Sequence, residues 1–152
     1  MLTKEQLAAE FVGLFPQYQA EYDEHMADYG ELLGHVFFGG VINLPLTALL
    51  KENRDEETIR RYVEFIGRMF AQGDDGARNI VQVTILEYLG DDDDVLQWAY
   101  GYFSDALIEE SAEVEKSLGR REVILARENG KRLVRWESLL PTESGWTVIE
   151  LG

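Results

Sequence analysis

The sequence predicts a mainly α-helical fold closed by a small C-terminal antiparallel sheet. Three observations carry this. Apolar residues recur at i, i+3 and i+4 between polar caps as far as Leu118. From Gly119 the pattern changes to two β-rich runs around Asn129-Gly130. The 152 residues, 45% hydrophobic and without cysteine, suffice for one core that needs no disulfide.

Thr3-Lys4-Glu5-Gln6 has the form of a capping box, and Leu7, Phe11, Leu14 and Phe15 then share a face, so a first helix runs from about 4 to 15. Pro16 lacks an N–H but suits a first turn; the helix it opens carries Tyr18, Tyr22, Met26 and Tyr29 to a stop at Gly30. The three tyrosines are expected in the core with their phenol oxygens at the surface. Leu32, Leu33, Val36 and Phe37 form a short stripe that Gly39-Gly40 breaks, after which Asn43 caps a helix through LPLTALLKEN. Asp55 opens the clearest helix, with Ile59, Tyr62, Val63, Ile66, Met69 and Phe70 as its stripe and Gly73 as its end.

Another helix starts near Asp75 and ends at Gly90, with Ile80, Val83, Leu86 and Leu89 facing the core. Two more follow, from about 94 to 103 (Val95, Leu96, Ala99, Tyr102, Phe103) and from about 105 to 118 (Leu107, Ile108, Leu118). Short connections between helices of similar length favour antiparallel hairpins, in a bundle or a short solenoid-like stack.

Asn129-Gly130 is the pairing preferred by a two-residue type I′ turn. That register opposes Glu128 to Lys131, Ala126 to Leu133, Leu125 to Val134, Ile124 to Arg135 and Val123 to Trp136. Val123, Leu125, Val134 and Trp136 then share one face. After a turn over Pro141 to Gly145, WTVIEL makes a third strand. A sheet this small is marginal alone, so its apolar face should dock on the helices or on a partner. The chain thus divides into an acidic helical part, 1–119, and a β part, 120–152, packed as one unit.

Charge is distributed unevenly along this plan. The formal net charge is −15, from 14 Lys+Arg and 29 Asp+Glu. Residues 120–152 hold six basic and five acidic residues, whereas residues 1–119 hold eight and 24. Between Lys4 and Lys51 there are seven acids and no base; between Arg78 and Lys116 there are ten acids and no base. Such a chain disfavours nucleic acid and anionic membranes as partners, since both are gripped through Lys and Arg, and favours basic partners or nucleic-acid mimicry. No apolar run approaches a membrane span and no signal peptide opens the chain, so a soluble, cytoplasmic protein is expected.

Little in the sequence carries catalytic chemistry. His25 and His35 each have a carboxylate four residues earlier, Glu21 and Glu31, but metal sites need more convergent ligands than this, and a structural role is expected for both. Asp91-Asp92-Asp93-Asp94 is not an EF-hand, because Leu96 and Tyr102 stand where that loop needs Gly and Glu. One aspartate, by position Asp94, is expected to cap the following helix; the surplus calls for solvent, a cation or a basic partner. No Walker loop, GxGxxG or GxSxG is present, so neither enzyme activity nor a cofactor is expected. Glu87, Tyr88, Asp91, Asp92, Asp93, Asp94 and Trp98 combine an acidic rim with aromatic anchors, the composition of a protein-binding patch.

GELLGHVFFGGVINLPLTALL (30–50), NIVQVTILEYLGDDD (79–93) and the opening TKEQLAAEFVGLFP resemble a family of small, acidic, helical bacterial proteins of uncharacterised function. The resemblance covers residues 1–119 and not the β tail. Proteins of that type resemble the immunity proteins of polymorphic toxin systems, which implies a cognate toxin domain as partner, its active-site surface occluded. A nucleic-acid-mimicking inhibitor and a metal-dependent or hydrolytic enzyme are the alternatives, and the sheet edges leave homodimerisation open.

Overall fold

The structure is a computed structural model and describes residues 1–140 and 145–151. Helices α1 (Lys4–Leu14), α2 (Gln19–Tyr29), α3 (Gly34–Phe38), α4 (Leu44–Glu52), α5 (Glu56–Gln72), α6 (Asp75–Ile80), α7 (Glu87–Leu89), α8 (Asp93–Tyr100) and α9 (Asp105–Ser117) precede β1 (Arg121–Glu128), β2 (Lys131–Ser138) and β3 (Trp146–Leu151). The mainly helical class with a C-terminal three-stranded antiparallel sheet, ordered β1-β2-β3, is therefore as the sequence predicts. Apart from Gly145, the expected turn after β2 lies outside the described residues.

Local chemistry accounts for the helix starts. Thr3 and Gln6 close the capping box reciprocally, at 3.1 and 2.9 Å. Asp55, Asp74 and Ser104 cap α5, α6 and α9 by accepting from the backbone N–H three residues on. Gly30, with φ of 73°, supplies the left-handed end of α2.

Two expectations about helix breaks are corrected. Gly39-Gly40 does not end a helix, and Asn43 does not start one. The chain stays helical from 34 to 52 through a π-helical segment, Gly39–Asn43, that joins α3 to α4. A second π segment, Val81–Leu86, joins α6 to α7. The two segments lie against each other, and the Asn43 amide donates to the Thr84 carbonyl across them at 3.1 Å. A π turn bonds i to i+5 and so shifts the phase of every later residue. That shift buries Val81, Ile85 and Leu86 and turns Val83 out to solvent, against expectation. Leu14, Tyr29, Val36 and Leu118 are also exposed rather than core; Val36 sits in the first turn of its helix, Leu14 and Tyr29 at the last position of theirs, and Leu118 just past the end of α9.

A single apolar core runs from helices to sheet. At one end Phe11 stacks on Phe15 at 4.7 Å and Phe15 on Tyr62 at 4.6 Å. The Tyr62 and Tyr18 hydroxyls share a hydrogen bond of 2.9 Å, and burial pushes the Tyr62 phenol well above its ordinary range. At the other end Tyr100 meets Trp136 of β2 at 6.0 Å and bonds Ser111 at 2.7 Å. The β1–β2 register pairs Glu128 with Lys131 and Val123 with Trp136, as read from Asn129-Gly130. Val123, Val134, Trp136, Ile149 and Leu151 bring the sheet's inner face into the helical core.

Candidate functional site

Gly119, with φ of 68°, turns the chain out of α9 so that Arg120 and Arg121 fold back over it. Both reach Glu115, whose side chain on α9 is 0% exposed. Arg120 approaches Glu115 through Nε at 3.1 Å, pairs with Asp91 at 2.6 Å and donates to the Glu87 carbonyl at 3.0 Å. Arg121 pairs with Glu115 and Asp93, donates to the Gly90 carbonyl at 2.7 Å, and lies over the Trp136 ring at 5.2 Å. Burial alone would lower the Arg121 pKa, but the hydrogen bonds to Asp93 and Glu115 outweigh it and hold the group above its usual value. A Cβ at Gly90 would collide with the Glu115 carboxylate and the Arg120 guanidinium. Glycine there is what lets the α7–α8 connection approach the network.

The four aspartates therefore divide by role. Asp91 and Asp93 face cations of the chain's own tail. Asp92, not Asp94, caps α8: its Oδ1 accepts from Asp94 N at 2.9 Å and Val95 N at 3.2 Å. The run starts its helix one residue earlier than expected, because any of four adjacent aspartates can cap and packing selects which. Asp94 is exposed and, among the described residues, makes no ion pair. Trp98, four residues on and so on the same helical face, is 41% exposed. Tyr88 on α7 is 37% exposed.

Glu87 belongs to a further feature that sequence reasoning missed. A groove of about 350 Å³ runs between the Val81–Leu86 segment with α7 on one side and α9 on the other. Val83, Val114 and Leu118 supply apolar surface; Glu87, Glu110 and Glu113 supply carboxylates. Among the described residues no Lys or Arg lines it. Glu110 accepts from the Gln82 amide at 2.7 Å, which fixes that carboxylate at the rim. The i, i+4 pair Val83 and Glu87 and the i, i+3 pair Glu110 and Glu113 were visible as helix-face neighbours. That the two faces meet is tertiary information.

Neither histidine is among the residues that line the groove. His25 Nε2 accepts from the Leu33 N–H at 2.9 Å, and its ring packs on Tyr29 and Phe37 at 4.8 and 5.7 Å. His35 Nδ1 bonds Thr84 Oγ1 at 2.5 Å. Among the described residues no group of three or more His, Asp or Glu converges to hold a metal ion. None of the described helices is long and apolar enough to cross a membrane.

No curated protein and no solved structure matches the chain. Residues 8–119, which end where the β tail begins, match a family described as Domain of unknown function (DUF7674), and the chain belongs to that family.

Proposed function

We propose that the protein is a stoichiometric inhibitor of the immunity type, which neutralises a cognate toxin domain in the cytoplasm of the producing cell by covering its cationic active-site surface. The observation that supports this is the groove between α7 and α9, where apolar surface from Val83, Val114 and Leu118 is rimmed by Glu87, Glu110 and Glu113 without a neutralising cation. Such a groove suits a segment that combines Lys or Arg with apolar side chains. Its carboxylates speed encounter and orient the partner, while desolvated apolar and aromatic contacts retain it. Tyr88 and Trp98 are exposed aromatics of the same acidic block, with Asp94 on the helical face of Trp98. Asp91 and Asp93 keep exposed side chains, but their pairing with Arg120 and Arg121 shifts most of the weight to the glutamates.

The test is calorimetric titration of the full chain with the toxin domain that this reading expects in a neighbouring gene. A 1:1 complex is expected, with affinity falling as salt rises. Glu110→Lys with Glu113→Lys should weaken it by about tenfold or more and flatten the salt dependence. No complex, or an affinity untouched by the double reversal, overturns the proposal.

A further inference from the structure

The β3 edge has the composition of an interface. β3 pairs with β2 from Glu137↔Trp146 to Arg132↔Leu151 without a bulge, and among the described residues its other edge pairs with nothing. Natural sheets blunt open edges with Lys, Pro, bulges or a covering element. Trp-Thr-Val-Ile-Glu-Leu has no Lys, Pro or bulge, and its one charge, Glu150, is paired with Lys131 of β2 at 2.9 Å. The opposite edge strand, β1, packs against α9 instead. Beside the open edge the sheet's outer surface is apolar: Trp146 is 47% and Val148 58% exposed, and with Ile124 and Arg135 they line a shallow depression of about 320 Å³.

Charge selects the occupant. Residues 120–152 are close to neutral within a molecule of −15, so the edge offers a basic partner little of the attraction that the helices offer. A second copy meets no such mismatch. Antiparallel pairing of a strand with itself is two-fold symmetric, and the two copies of β3 overlap almost fully when the axis passes through Val148. The six-stranded sheet that results separates the two copies of β1, and the α9 helices packed on them, by five inter-strand spacings, about 24 Å. That exceeds two screening lengths of about 10 Å at 0.1 M salt, where the α9 helices barely oppose association, but falls within the length of about 30 Å at 0.01 M, where they do.

We infer that β3 is a homodimer interface, joining two copies edge to edge into a continuous antiparallel sheet. It is independent of the toxin-inhibitor proposal, and salt separates the two: screening should weaken a basic partner and strengthen self-association.

Sedimentation velocity on the full chain, from about 5 μM to about 1 mM because an edge this short gives a weak interface, should show a monomer–dimer equilibrium that shifts to dimer between low and high salt. Val148→Glu sets a carboxylate across from Arg135, compatible with the monomer sheet, but opposes two carboxylates at the dimer axis. It should weaken self-association at least tenfold. Hydrogen exchange on the wild type reads the same edge without mutation: concentrating the protein should protect amides within 146–151. A chain that stays monomeric throughout, a Val148→Glu variant that associates like wild type, or no concentration-dependent protection of β3 overturns the inference.

Discussion

Glu115 shows how differently one charge can count from another in the same network. It is wholly buried between two guanidiniums, whereas its neighbour Asp91 keeps 66% of its side chain exposed. Removing one member of a buried ion network leaves the others desolvated and unmatched, which costs about 3–5 kcal/mol. An exposed pair is worth about 1 kcal/mol or less. We therefore expect Glu115→Ala to lose several kcal/mol in urea unfolding and Asp91→Asn to lose under about 1; similar losses for both would show that burial does not set the strength of this network. At the surface, hydrogen bonds from Arg68 and Arg132 hold the Glu10 and Asp105 carboxyls below their ordinary ranges. Their contribution is present above the ordinary carboxylate range and is lost as pH falls through the lowered values. Caps such as Thr3 and Asp55 were legible because the cap and its target are three residues apart. The partners of Glu115 were not, because a buried glutamate and an exposed one look alike in an acidic helix.

Elements were legible where periodicity was regular. The stripe of α5 and the Asn129-Gly130 register were read directly, since each rests on local spacing. The π segments escaped because one extra residue per turn leaves the apolar count unchanged and alters only its phase. Once that phase is known, the glycines of the 34–52 run acquire separate roles. A Cβ on Gly34 would come within 2.5 Å of Ile80 Cδ1 in the core, while one on Gly40 would meet nothing within 4 Å. Gly34→Ala should thus destabilise by about 1–2 kcal/mol, overpacking outweighing the gain in helix propensity. Gly40→Ala should stabilise by about 0.5–1 kcal/mol. Thermal melts of the two variants compare them directly; equal shifts would mean that α3 does not cross α6 as closely as described.

For the whole molecule, the sequence showed how much charge there is and in which segments, but not which charges find each other. All six cations of the tail are ion-paired: Arg120, Arg121, Arg127 and Arg132 with carboxylates between residues 91 and 115, Lys131 and Arg135 within the sheet. Glu21, Asp23, Glu24, Asp28 and Glu31, on and just beyond α2, make no ion pair among the described residues. Repulsion among such unmatched acids opposes compactness, and salt relieves it. Raising NaCl from about 0.05 to about 0.5 M should therefore lift Tm by a few degrees, about 1 kcal/mol for a chain of this size. A falling Tm would mean that the ion pairs outweigh the repulsion. The same pairing ties the tail to the family domain. Ending the chain at Gly119 would take both arginine partners from Glu115 and the sheet from the side of α9. An excised 8–119 fragment should therefore unfold at lower urea than the full chain, although the family match stops at that boundary.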